Sequence, residues 1–183
     1  MTTTTETPDP RVYVASLSDY NNGVLHGVWI TLEDGTDAET VGEEVRAMLA
    51  ASPTAARYGE RAEEAVIHDH EGFGPIRLGE VYPGARVIEL AATIREHGPA
   101  FAAWYSYDES RDPSEFADAY HGEWASAEEF AEEFANDVGD IDETFPYYGA
   151  IDWGRVWHGH FECDGWRAVP TGAPSYGVWI FAP

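Results

Sequence analysis

The residues from Asp108 to Glu143, DESRDPSEFADAYHGEWASAEEFAEEFANDVGDIDE, limit most sharply what this chain can fold into. Fourteen of these thirty-six residues are acids: Asp108, Glu109, Asp112, Glu115, Asp118, Glu123, Glu128, Glu129, Glu132, Glu133, Asp137, Asp140, Asp142 and Glu143. Arg111 is the one base, so the local net charge is 1 − 14 = −13. Self-repulsion of that size opposes compaction, and a folded domain keeps it only where some gain offsets it. A disordered acidic tail would lack aromatic residues. Here Phe116, Tyr120, Trp124, Phe130 and Phe134 recur through the stretch. The expectation is an acidic surface held on folded structure.

The clearest piece runs from Ser126 to Val138. Ser126 followed by Glu129 is a capping box, in which each side chain satisfies a free amide at a helix start. Ala127, Phe130, Ala131, Phe134, Ala135 and Val138 then recur at helical spacing and predict one apolar stripe. Glu128, Glu129, Glu132, Glu133 and Asp137 fall off that stripe and are expected to face water. Carboxylates four apart lie ~6 Å from each other along a helix axis. Their repulsion costs a few tenths of a kcal/mol per pair, about what an alternating Lys would have gained. Such a run is commonly the solvated face of an acidic protein. The near-absence of bases across thirty-six residues argues instead for a function.

The whole chain repeats the imbalance: 34 acids stand against 10 bases, all of them Arg, for a formal charge of −24. Duplex DNA carries one charge per ~1.7 Å of axis, so this charge corresponds to about 40 Å of duplex. Binding to nucleic acid or to an anionic membrane surface is excluded on this ground, and the expected partner is a basic groove. Salt adaptation, with acid spread evenly, is one alternative. A cation site, with acids at ligand spacing, is another. The 183 residues suggest one domain or a few small packed subdomains. The single Cys163 excludes an internal disulfide and suits a reducing cytoplasm. The N-terminal MTTTTETPDP has no apolar core, and no run of about 18 apolar residues predicts a membrane span.

Taken in order, residues 1–10 are expected to be a flexible arm. Val12–Leu17 reads as a strand, Asp19–Gly23 as a tight turn and Val24–Leu32 as a second strand. Thr36 or Asp37 caps a helix through about Ala51, with Val41, Val45, Met48 and Leu49 as its stripe, and Ser52-Pro53 ends it. Glu64–His70 is a third strand. Glu71–Pro75 looks like a linker. Residues 84–97 and 100–105 read as two helices separated by His97-Gly98-Pro99. Ile151 to about His160 reads as a helix, and Trp166–Val169 with Tyr176–Phe181 as a closing hairpin. The fold class is therefore α+β. The expected layout is three small subdomains, 11–72, 73–107 and 108–183, after the arm.

Candidate chemistry is thin. His68-Asp69-His70 and His158-Gly159-His160 with Cys163 could suggest zinc, which needs three or four convergent ligands. The second pair falls on a predicted helix, where residues two apart diverge. No G-x-S-x-G occurs, and Cys163 has no activating context. The glycines of residues 72–74 are not followed by the Lys-Ser/Thr of a phosphate loop. No metal, cofactor or catalytic residue is assigned, and the chain is not read as an enzyme.

Five blocks resemble ArdA-type antirestriction proteins: VYVASLSDYNNGVLHGVWIT (12–31), EAVIHDHEGFGPIRL (64–78), EHGPAFAAWY (96–105), FADAYHGE (116–123) and IDWGR (151–155). They stand in the family's order and cover about residues 11–183. The resemblance implies an elongated protein of three small α+β or helical subdomains, dimeric, whose surface carboxylates imitate the phosphates of bent B-DNA. It also implies inhibition of type I restriction–modification enzymes on behalf of a mobile element entering a bacterial cell. The family's antirestriction motif would correspond to roughly Phe116–Glu133, inside the acidic stretch. The rivals are a salt-adapted acidic enzyme and an acidic interaction module for some other basic protein.

Overall fold

Strand β1 (Arg11–Ser16) is central to the first of two small antiparallel sheets, ordered β2-β1-β3, with β2 at Gly27–Thr31 and β3 at Ala65–Glu71. The computed structural model describes residues 9–59, 61–139, 141, 144–172 and 176–183. They group into two units, the first ending at Glu109 and the second spanning Ser110–Pro183. Each pairs a three-stranded sheet with helices, so the fold is α+β.

Alternation along β1 sets the first core. Val12 and Val14 are buried with Ile30 and Ile67 from the flanking strands. Helix α2 (Ala38–Ala50) adds Val41, Val45 and Met48 at helical spacing. Asp37 caps it by accepting the Thr40 amide at 2.8 Å. The opposite face of the sheet pairs Tyr13 with Trp29 at 5.5 Å, and the Arg11 guanidinium lies 4.7 Å from the Trp29 ring centre. The Tyr13 ring also covers Gly27, where a Cβ would sit 2.7 Å from Tyr13 Cζ and 2.5 Å from the Val14 carbonyl oxygen. Only glycine fits there.

Several expectations change here. Val24 and Leu25 are exposed, Leu25 by 72%, so the second strand begins three residues later than expected, at Gly27. Leu17 is the first residue of a short helix α1 (Leu17–Asn21) rather than the end of β1, and this helix replaces the tight turn. Gly23 still supplies the positive φ, at +74°. Ser52 both ends α2 and caps a further helix α3 (Pro53–Tyr58), accepting the Ala55 amide. Residues 71–75 are not a loose linker: Phe73 is fully buried, and Ile76 follows it into the core.

Asp19 of α1 is fully buried and faces no cation. Its Oδ1 accepts the Thr54 amide at 2.9 Å, which ties α1 to α3. Burial alone would raise its pKa. The Thr54 amide and the nearby hydroxyls of Ser16, Thr54 and Ser52 outweigh burial and hold the carboxyl far below its ordinary 3.8, although its Oδ2 meets no donor at bonding geometry among the described residues. Helices α4 (Ala85–His97) and α5 (Pro99–Tyr105) complete the unit, with Gly98 at φ +69° between them and every residue from Ala100 to Tyr105 buried. Arg95 of α4 donates to the Leu32 carbonyl. No helix among the described residues is long and apolar enough to cross a membrane.

The second sheet is ordered β4-β6-β5, from Tyr120–Trp124, Val178–Phe181 and Arg167–Pro170. The closing hairpin is present as β5 and β6. Strand β4 was not expected, because the acidic stretch around it reads as helical. It gives β6 a partner on its other side, so β6 is the central strand and has no exposed edge. Helix α7 (Ala127–Asp137) packs on this sheet together with α8 (Trp153–Val156). The helix expected at Ile151–His160 starts instead at Trp153, capped by Asp152, and widens into a π turn at Trp157–Phe161.

Asp19 carries the sharpest consequence for stability. Its folded-state pKa is depressed, so its stabilisation is full above the ordinary value of 3.8 and declines as the pH falls below it. Asp19→Ala strands the Thr54 amide and the surrounding hydroxyls, and should cost about 3 kcal/mol. The measurement is urea unfolding at neutral pH, repeated at acid pH, where the gap between wild type and variant should narrow.

A candidate acidic surface

Eleven of the fourteen predicted surface acids fall among the described residues; Asp140, Asp142 and Glu143 lie outside them. Ten of the eleven are exposed, and Glu132 is half-buried rather than fully facing water. What holds them outward is a series of buried anchors between them. Pro113, Phe116 and Ala119 are buried, and Phe116 stacks on Tyr120 with ring centres 5.1 Å apart. Phe130 is 2% exposed. The rings of Trp124, Phe134, Phe161 and Trp166 surround it at 5.4 to 5.6 Å, and those of His121 and Trp157 at 6.0 and 6.1 Å.

The acids sit on five local structures. Asp108 and Glu109 follow α5 and belong to the first unit. Glu109 is pinned there: its carboxylate accepts the Arg77 amide at 3.2 Å and its carbonyl accepts the Tyr105 hydroxyl. Asp112 caps a 3-10 turn (Pro113–Glu115), accepting the Ser114 amide and hydroxyl at 2.9 and 2.7 Å. Glu115 ends that turn, Asp118 lies on the short helix α6 (Phe116–Ala119), and Glu123 lies on β4 opposite Trp179.

The remaining five lie on α7. The capping box forms as expected at its serine, whose Oγ accepts the Glu129 amide at 3.2 Å. The Glu129 carboxylate reaches one residue further back, to the Ala125 amide at 2.8 Å. Glu128 and Glu129 in the first turn are favoured by the helix dipole, whereas Asp137 at the other end is not, and no base occupies the last turn. The apolar stripe holds through Phe130 and Ala131, but Val138, expected on it, is 53% exposed because the helix ends at Asp137.

The pairing of charge divides along the chain. Outside the stretch, Arg11 binds Glu71 at 2.6 Å, Arg86 binds Glu89 at 3.1 Å, Arg155 binds Asp152 at 3.3 Å, and His158 meets Glu162 at 2.6 Å. Among the described residues, Glu115, Asp118, Glu123, Glu128, Glu129, Glu132, Glu133 and Asp137 take part in no ion pair. The negative field is felt locally: burial first, and then the Glu123 carboxylate, push the Tyr120 phenol above its ordinary value. Burial lowers the pKa of His121 beside it.

The histidines weighed as metal ligands have other neighbours. The His68 ring stands edge-on to Tyr20 at 4.5 Å and the His70 ring to Phe73 at 5.6 Å. Among the described residues no three His, Cys, Asp or Glu side chains converge as a metal site would require. Cys163 is exposed.

No curated protein matches the chain. A family model described as "Antirestriction protein (ArdA)" matches residues 12–164. The match extends past the five resembling blocks but falls short of the expected coverage of about residues 11–183, leaving the β5–β6 hairpin outside it. It spans far more than half of the sequence and takes in β4, α7 and all twelve acids that the second unit contributes to the predicted set, together with Asp108 and Glu109 of the first. This chain belongs to the ArdA antirestriction protein family.

Proposed function

We propose that this protein protects incoming DNA by occupying the DNA-binding groove of type I restriction–modification enzymes, with its carboxylates standing in for phosphates. The supporting observation is the run of eight exposed or half-exposed acids from Glu115 to Asp137, none of which takes part in an ion pair among the described residues. A basic groove meets such a surface as it meets a duplex, by exchanging its small counterions for fixed charge. Competition of this kind requires no bond to be made or broken, so the inhibitor needs no catalytic residue and no cofactor. The fourteen acids from Asp108 to Glu143 are the proposed contact set. The setting is the bacterial cytoplasm, on behalf of a mobile element.

The same reading includes a homodimer. Two chains would carry 2 × (−24) = −48, which at ~1.7 Å per charge corresponds to about 80 Å of duplex. β6 is the central strand of the second sheet and offers no edge for pairing. The edges of the second sheet are β4 and β5, and β4 lies inside the acidic stretch.

The direct test is a gel-shift competition between the protein and duplex DNA for a type I methyltransferase core. Displacement should be strong at low salt and fall steeply as salt rises, since many-charge contacts share the screening of DNA binding. Equal displacement at high and low salt would contradict phosphate mimicry.

Neutralisation tests how the charge is used. A single exposed carboxylate contributes about 0–1 kcal/mol, so Glu133→Gln alone should weaken inhibition no more than about fivefold. Changing Glu128, Glu129, Glu132, Glu133 and Asp137 together to Gln or Asn should weaken it far more, with helical content kept by circular dichroism. A single folded variant that lost all inhibition would point to a discrete site instead. Sedimentation at micromolar concentration should show twice the chain mass; a monomer would remove the dimer from the proposal.

A further inference from the structure

The second unit has an apolar groove of about 590 Å³ lined in part by α7. The volume lies in the range of sites that hold a small molecule or a single large side chain. Ala131 and Ala135 line it together with the rings of Phe134, Phe161 and Trp166. Those three rings stand nearly perpendicular to one another, at 73° to 89°, with centres 5.3 to 5.9 Å apart. Trp153 of α8 lines it too.

Charge at the rim decides what such a groove can take. One carboxylate, Asp164, and one imidazole, His160, line it directly. The Glu128 carboxylate lies against Gly154, the residue after Trp153: a Cβ there would be 3.6 Å from Glu128 Oε1. Aromatic faces with carboxylates at the mouth attract a cation on an apolar stem, because the ring quadrupole and the carboxylates act in the same sense. Arginine fits this description best, since its guanidinium plane stacks on aromatic faces and pairs with a carboxylate at its edge. A phosphate or an acidic segment does not fit beside those carboxylates.

We infer that this groove captures an arginine side chain of the protein partner. The inference rests on the proposed inhibition for the identity of that partner, though not for the chemistry of the groove. It adds to the phosphate-like surface a contact that duplex DNA cannot make. Such an anchored, desolvated side chain is the kind of residue that dominates an interface.

The test uses the full chain labelled with nitrogen-15, whose seven tryptophans each give an indole N–H signal. Trp153→Phe and Trp166→Phe assign the two that matter. N-acetyl-argininamide should shift both signals, and N-acetyl-citrullinamide, its neutral isostere, should shift them at least several-fold less. Asp164→Asn should weaken the arginine response. Equal response to both compounds would overturn the inference, as would shifts confined to the exposed amides of α7. If instead the two indole signals change on dilution and ignore the arginine compound, a second copy of the chain covers the groove and the inference fails.

Inhibition supplies the independent arm. Ala135→Trp fills the groove while leaving every carboxylate in place, and should cost about tenfold in inhibition without changing its salt dependence. If that variant inhibits like wild type, the groove has no role at the interface and the inference fails while phosphate mimicry stands. If wild type itself does not displace DNA, phosphate mimicry fails and the arginine titration still decides the groove.

Discussion

The burial of Phe130 is the contact on which the acidic surface depends. On one side of α7 this ring is enclosed by six others. Removing such a ring from water is worth about 3 kcal/mol, and each favourable ring pair adds about 0.5–1.5 kcal/mol. On the other side, Glu128 faces Glu132, Glu129 faces Glu133 and Glu133 faces Asp137, each pair costing a few tenths of a kcal/mol. The two magnitudes are unequal, and that inequality lets the helix persist with no cation in its last turn. The same logic recurs upstream, where buried Phe116 fixes a turn and a short helix that hold Glu115 and Asp118 outward.

Where the ten arginines sit matters as much as where the acids sit. An acidic protein that only needed solubility could distribute its few bases to relieve the densest repulsion. Here Arg11, Arg86 and Arg155 are paired with Glu71, Glu89 and Asp152, all outside the stretch. The densest repulsion therefore goes largely unrelieved, with Arg111 the one base inside it. Even distribution is what salt adaptation requires, and neither the acids nor the bases follow it. Asp19 shows that the fold can also stabilise a carboxylate without any cation, using hydroxyls and one amide. The unpaired acids of α7 are thus not acids for which the fold lacked a means of satisfaction.

Local signals were legible in the sequence, and long-range pairing was not. The caps at Asp37 and Ser126, the stripes of α2 and α4, and the Gly98-Pro99 break all act within four or five residues, and all are found in place. Of the acidic surface, the exposure of ten residues could be read from periodicity and charge alone. Strand β4 could not, because Tyr120–Trp124 is short and lies between helices; only its ladder with β6 makes it a strand. The same partner makes β6 central, which no local pattern reveals. The start of β2 shifts to Gly27 because a ring from the neighbouring strand lies over that glycine. Asp19 looked like a turn former, since its partners Ser52 and Thr54 are more than thirty residues away. The groove went unseen because Phe134, Trp153 and Trp166 converge only after α7, α8 and the π turn have packed.

Salt separates the two roles of the acidic helix. The rings around Phe130 are held by burial, which modest salt does not weaken, whereas screening shrinks the repulsion among Glu128, Glu132 and their neighbours. Added salt therefore favours the folded helix. The same screening weakens the attraction of that helix for a basic groove, because the counterions it would release are worth less to release. A surface that acts through unpaired charge is held together by one kind of force and recognised by another. An aromatic groove beside it changes this balance, since capture of a desolvated guanidinium is much less sensitive to ionic strength than a field summed over exposed carboxylates. Under the proposed inhibition, an interface that combined the two would keep part of its affinity where a purely electrostatic mimic loses it, and would let the enzyme hold this protein more tightly than it holds DNA.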